Sequence, residues 1–322
     1  GIFYFFEHAL DKHTLVIGDQ NGCFKALPGG AKIAYHPVTG LVPATESLHD
    51  FSCSQGIATG KVSLQDYFFE KPNLSLLSSA GGNGAGARGD FEQYHYPGCY
   101  QTPEEGKRYA QLRVDALNTF AFTATIKTNS QRLQPGYVMA IEGHPRSSAN
   151  RQYLITHVEH KSKQPQSLEE GASTEAYSYQ ATVNLIPNDV TYRPARTHHI
   201  NKITGTETAI VTGPPGEEIY TDEHGRIKVH FHWDRNNGYD QKSSCWVRVS
   251  QAVAGSQWGS VSIPRVGEEV MIAYESGLPD RPIVIGRLYN GQHPAPYPLP
   301  ANKTRSSLKT LSTPNGGGFN EV

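Results

Sequence analysis

The feature that most constrains the fold is a period of two that keeps being interrupted. The stretch "RIKVHFHW", 226–233, alternates for its whole length, as do "FTATIKT", 122–128, and "YSYQATVNLIP", 177–187. Successive side chains on a strand take opposite faces, so such runs read as strands with one buried side. Gly, Pro, Asn and Ser clusters stop nearly every run within about ten residues. With 32 glycines and 21 prolines, the chain has the turn supply that many short strands need, and the fold class is mainly β.

In the N-terminal two thirds, "IFYFFEH" and "HTLVIGD" predict a hairpin within residues 2–19. Further strands follow at "GKVSLQDY", "YVMAIEG" and "QYLITHVEHK". Residues 78–90, "SSAGGNGAGARGD", read as a mobile loop. One helix interrupts the pattern. Thr102 is a good N-cap, Pro103 suits the first helical position and Glu105 completes a capping box. The helix is predicted over about 103–118, with Tyr109, Leu112, Ala116 and Phe120 on its apolar face. From 206 the alternation restarts in "TAIVTG", "RIKVHFHW", "CWVRVSQ", "GSVSIPRV" with "EEVMIAYE", and "RPIVIGRLY". Five strands in some 85 residues fit a small closed barrel of the OB type. The expected domains are therefore 1–195, a β-barrel region, then a linker at 196–205, an OB barrel at 206–292 and a Pro-rich tether at 293–322. Both chain ends read as cut from a longer polypeptide, and no secretory pattern opens the sequence.

The candidate sites are mostly better explained by structure. In "KVHFHWD", Ile227, Val229, Phe231 and Trp233 share one strand face, read as the barrel interior. Lys228, His230, His232 and Asp234 share the other, read as outward. His230 and His232 are half of a zinc set; His224 and Asp234 are nearby in sequence, but no second ligand pair exists. His198 and His199 read as linker surface. "GAGARG", 84–89, matches a dinucleotide fingerprint only in letters, because no strand precedes it and Pro97 blocks a following helix. "HVEHK" has the wrong spacing for two ligands on a helix. Glu104/Glu105, Glu217/Glu218 and Glu268/Glu269 are adjacent carboxylates, the first pair explained by helix-start chemistry. The sequence thus predicts no catalytic, cofactor-binding or metal-binding residue. The four cysteines share no C-x-x-C spacing, and no apolar run approaches a membrane helix. Charge is balanced, 29 basic against 30 acidic residues, and residues 206–292 carry 8 against 11. An acidic barrel is a poor phosphate binder, so nucleic acid is not an expected partner.

Three stretches, "GEEIYTDEHGRIKVHFHWDRN", "SSCWVRVSQAVAGSQWGSVSIPRVGEEVMIAYESGLPDRPIVIGRLYN" and "LPANKTRSSLKTLSTPNGGGFNEV", closely resemble the VgrG family, the spike of the bacterial type VI secretion system. "YHPVTGLVPATESLHDF", "YPGCYQTPEEGKRYAQLRVDAL" and "DVTYRPAR" resemble its tail-hub portion. The resemblance implies small hub barrels followed by an OB barrel, without a lysozyme domain, in a homotrimer docked on the hexameric Hcp tube. It also implies a C-terminal β-helix needle carrying a PAAR tip and effectors, with this chain ending where the needle starts. Assembly in the bacterial cytoplasm and translocation into a target cell would follow. The competing readings are a cell-wall or metal-dependent hydrolase and an OB-type oligosaccharide-binding module. Tyr94, Tyr96 and Tyr100 are surface-eligible aromatics for the trimer interface.

Overall fold

A computed structural model describes residues 1–322 apart from 38–44, 83–85, 165–176, 199 and 237. It is mainly β, and the chain divides into two compact units, Gly1–Thr197 and His198–Val322.

The first unit begins with β1 (Phe3–His8) and β2 (His13–Gly18), the expected hairpin, and continues through β3 (Lys25–Ala26), β4 (Lys32–Tyr35) and β5 (Ser47–Gln55). Next come β6 (Ala58–Leu64), β7 (Ser78–Gly81), β8 (Ala87–His95) and α1 (Pro103–Asn118). The unit ends with β9 (Phe122–Thr128), β10 (Tyr137–Glu142), β11 (Gln152–Lys163) and β12 (Ser178–Pro187).

Six of these strands close on themselves in the order β11-β12-β9-β5-β4-β10, with β10 pairing back to β11. The alternation explains why. Along β12, Ala181, Val183 and Leu185 are buried while Gln180 and Asn184 face outward. Their inward partners include Leu48, Ile126, Met139 and Tyr153, all fully buried. A register shift between Ile155 and His157 in β11 marks a bulge, the usual device for bending a barrel strand.

Beside the barrel, β7, β6 and β8 form a three-stranded sheet. Strands 78–81 and 87–95 thus replace the mobile loop expected over 78–90, because β6 supplies a pairing partner on each side. Residues 83–85 lie outside the described residues. Gly60 is obligatory in this sheet: a Cβ there would lie 1.7 Å from the Arg88 carbonyl oxygen.

Helix α1 starts and stops as expected, with both halves of the capping box formed by Thr102 and Glu105. Its packing face differs from the expected one. Gly106, Ala110, Val114 and Asn118 are buried, whereas Phe120, beyond the helix end, is exposed. The reason is close approach: a Cβ on Gly106 would meet Ser78 Oγ at 2.4 Å and the Tyr100 ring at 2.5 Å. Small residues win that face over large apolar ones.

The second unit holds β13 (Glu207–Thr212), β14 (Lys228–Phe231), β15 (Arg248–Val249), β16 (Glu269–Tyr274) and β17 (Pro282–Leu288). Their order is β14-β13-β16-β17-β15. An Ile227↔Val247 bridge joins the two ends of this sheet, through hydrogen bonds of 2.9 and 2.8 Å. The core is small and almost wholly β-branched: Val211, Ile227, Val229, Val247, Val270, Ile272 and Val284, with Ala209. The expected strand "GSVSIPRV" does not form, residues 260–266 lying outside any strand, and residues 293–304 make turns and bends. Beyond them, Leu308 and Thr310 pair back with Val322 and Asn320.

Candidate assembly surfaces

The "KVHFHWD" stretch shows how strand direction and burial part company. Ile227 and Val229 point into the barrel and are fully buried, as alternation requires. His230 takes the opposite face, yet it is only 3% exposed. Residues after the strand fold over it: the ring stacks on Tyr239 at 4.0 Å and its Nε2 lies 3.0 Å from the Asn236 carbonyl oxygen. The outward, accessible His230 expected from the sequence is therefore corrected to a covered one. Trp233, expected inside, is exposed, because β14 ends at Phe231 and a turn takes over.

The neighbours of this strand are engaged in packing. His232 Nε2 lies 3.0 Å from Thr208 Oγ1. Lys228 donates to the Ser244 carbonyl at 2.7 Å and lies over the Trp246 ring. Glu207 accepts from Trp233 Nε1 at 3.0 Å and from the Tyr274 hydroxyl at 2.8 Å. Burial and then the Glu207 carboxylate push the Tyr274 phenol far up, so it stays a donor. Among the described residues, no group of three or more His, Cys, Asp or Glu is placed to hold a metal. His198 belongs to the second unit, and His199 lies outside the described residues.

A cleft of about 540 Å³ in the first unit is lined by Gln111, Asp115, Asn118, Arg151 and Asp189 among others. Both of its carboxylates already have partners. Asp115 accepts from Gln111 at 2.7 Å, and Asp189 pairs with Arg151 at 2.5 Å. The first is a contact along α1 and the second ties the residue before β11 to the turn after β12; neither carboxylate stands alone facing the cleft. The Glu105 carboxylate closes the helix cap, as expected, and Glu218 and Glu268 pair with Arg265 and Arg287.

What the molecule does present is apolar surface. On the hairpin, Phe3 and Phe5 are buried. The other face carries Ile2, Tyr4 and Phe6 on one side and Leu15 and Ile17 on the other, with Tyr4 opposite Ile17 and Phe6 opposite Leu15. All five are exposed, Ile2 at 71%, Tyr4 at 70% and Ile17 at 66%. Water-facing strands normally alternate to polar residues, so a two-stranded sheet apolar on both faces marks a surface that something covers. The sequence did carry this signal: "IFYFF" is apolar at both parities.

A second such region lies at 253–261, where Val253, Trp258 and Val261 are exposed around an Ala254↔Gly259 bridge. Leu308, Leu311, Phe319 and Val322 are exposed near the C-terminal end. Of the three tyrosines expected at the surface, Tyr94 and Tyr96 are exposed. Tyr100 is buried instead, its hydroxyl donating to the Leu64 carbonyl at 2.8 Å beneath α1.

Residues 1–166 match the phage tail baseplate hub family, and residues 217–289 match the type VI secretion system/phage-baseplate injector OB domain. The whole chain is 37% identical to the type VI secretion system spike protein VgrG1b of Pseudomonas aeruginosa and 38% identical to the actin cross-linking toxin VgrG1 of Vibrio cholerae. It spans less than half of their length, 44% and 29% respectively. The fold is similar to the Escherichia coli c3393 protein, a type VI secretion component described as similar to the T4 tail proteins gp27 and gp5. That match has a TM-score of 0.53 at 19% identity and covers 89% of this chain and 57% of the other. A hub-like barrel unit, an OB barrel and whole-chain identity to spike proteins converge on one conclusion: the chain belongs to the VgrG family of type VI secretion spikes.

Proposed function

We propose that this chain forms the hub and base of a type VI secretion spike, built as a homotrimer, with a mechanical rather than a catalytic role. The observation that carries the reading is the hairpin face of Ile2, Tyr4, Phe6, Leu15 and Ile17, exposed in a single chain. Burying such a face contributes roughly 25 cal/mol per Å² of apolar area, the ordinary driving force of subunit association. In this reading the hub caps the Hcp tube, a C-terminal needle bears the PAAR tip and effectors, and the assembly is pushed into the target cell by the contractile apparatus. A load-bearing hub is served by closed sheets, which leave no free edge to open. The domain organisation that goes with it is a hub at 1–195, a linker at 196–205, an OB barrel at 206–292 and a tether at 293–322. No helix among the described residues is long and apolar enough to cross a membrane.

Light scattering at micromolar concentration tests the assembly and should give about three times the 35.4 kDa chain mass. A strict monomer at high concentration would refute it. The hydrolase alternative is addressed by incubating the chain with purified peptidoglycan, with and without divalent metal. Release of soluble fragments, abolished by substituting Asp115 or Asp189, would overturn the mechanical reading.

A further inference from the structure

The tip of the β1–β2 hairpin brings two histidines together. His8 ends one strand, His13 begins the next, and the two are direct cross-strand partners. Their Nδ1 atoms lie 2.7 Å apart, with ring centroids at 4.7 Å and ring planes at 73°. The turn between them is closed by Ala9 N–H donating to the Lys12 carbonyl at 2.9 Å. Both imidazoles are exposed. They sit on the same side of the hairpin as Phe6, whose ring stacks near His8.

Two neutral imidazoles in this arrangement hold one proton between their Nδ1 atoms. A metal ion can take that position when each ring carries its proton on Nε2. The donor type narrows the ion: imidazole nitrogens suit the late first-row divalent metals, with affinity rising through nickel(II) to copper(II). With metal–nitrogen bonds of about 2.0–2.1 Å, two nitrogens at a right angle stand about 2.9 Å apart, whereas a tetrahedral pair stands about 3.3–3.4 Å apart. The observed 2.7 Å is the length of a hydrogen bond with one shared proton, so an entering ion replaces that proton and the two rings part slightly to admit it. Strand pairing holds both Cα positions, so little ordering entropy remains to be lost on binding.

We propose that His8 and His13 form a two-histidine clamp for a divalent late first-row metal ion, copper(II) or nickel(II), with water completing the coordination. The sequence predicts no metal ligand, His230 and His232 being half of a set; strand pairing brings together a different pair, one on each side of the hairpin turn. The ion would cross-link the two strands at the end of the apolar face and stiffen the tip.

Isothermal titration of tag-free chain with nickel chloride and copper sulfate is the test, because 14 histidines make a comparison with variants essential. His8→Gln and His13→Gln should each weaken one binding event per chain by at least about tenfold, as expected on losing one of two ligands. Circular dichroism should show both variants folded. A readout in the unaltered chain guards against misfolded variants: nickel should slow amide exchange at Ala9, whose N–H closes the turn. Binding that survives both substitutions, or Ala9 exchange indifferent to nickel, would overturn the proposal.

Discussion

The two barrels close in different ways. In the first unit the seam is a ladder, three consecutive β10–β11 pairs from Val138↔Leu154 to Ala140↔Gln152. In the second it is the single Ile227↔Val247 bridge. The cores differ to match. The first encloses large side chains such as Tyr153, Met139 and Leu48, while the second holds eight fully buried small or β-branched ones. A five-stranded barrel has little interior, and β-branched residues fill it with few rotamers to lose. Each contact in the small barrel therefore carries a larger share of its stability, and the seam is its exposed point.

The largest expected effect lies in the larger core. Tyr153 is fully buried, and its hydroxyl donates to the Ala149 carbonyl at 3.2 Å. Tyr153→Ala should cost about 3–5 kcal/mol, the range for emptying an aromatic site. Urea unfolding followed by far-UV circular dichroism measures it; a loss below 1 kcal/mol would mean that this core tolerates a void.

Ile227→Ala comes next, at about 2–5 kcal/mol, and is read separately because all three tryptophans (Trp233, Trp246 and Trp258) lie in the second unit. Tryptophan fluorescence should report an earlier transition, with the seam residue removed from the core. If fluorescence midpoints stay fixed, the bridge is not a weak point.

Asp222 sharpens the comparison further. Its carboxylate accepts from the Arg226 amide at 2.9 Å, the His224 amide at 3.1 Å and Arg226 Nε at 2.5 Å, fixing the turn that leads into Ile227. Burial works against the ionised form, but the Arg226 and His224 bonds outweigh it and hold the acid below its usual range. A carboxyl with a lowered folded pKa stabilises the fold above the ordinary Asp range, near pH 4. That contribution is lost as pH falls through the folded value. Asp222→Asn should thus cost about 1 kcal/mol at pH 7 and flatten the acid limb of the fluorescence-detected stability curve. An unchanged acid limb would assign that limb to other groups.

The smallest effect on folding is expected at the hairpin. Replacing Tyr4 and Ile17 together by serine removes exposed side chains, so chain stability should change by about 0.5 kcal/mol or less. Assembly should respond far more, with the light-scattering mass falling toward that of one chain. A trimer that persists would move the interface elsewhere, first to the Trp258 region.

What the sequence determined by itself was local. Period-two runs located the hairpin, most barrel strands and all five strands of the second barrel, because a half-buried strand must alternate. The Thr102–Glu105 box located the start of α1, because capping is satisfied within four residues. Among the missed strands, β3 and β4 are only two and four residues long and β5, "SLHDFSCSQ", is largely polar, so all three carry little periodic signal, while β7 and β8 lie in a glycine-rich stretch that only pairing with β6 makes extended. Tertiary structure alone decided coverage. Alternation sets which way His230 points, and its contacts with the Asn236 carbonyl and the Tyr239 ring decide that it is buried. Likewise, the packing face of α1 runs through Gly106 because Tyr100 and Ser78 come too close there for anything larger. The meeting of His8 and His13 depends on hairpin register, which cross-strand pairing fixes and composition cannot. Direction is a property of the strand; burial and contact belong to whatever the rest of the chain lays against it.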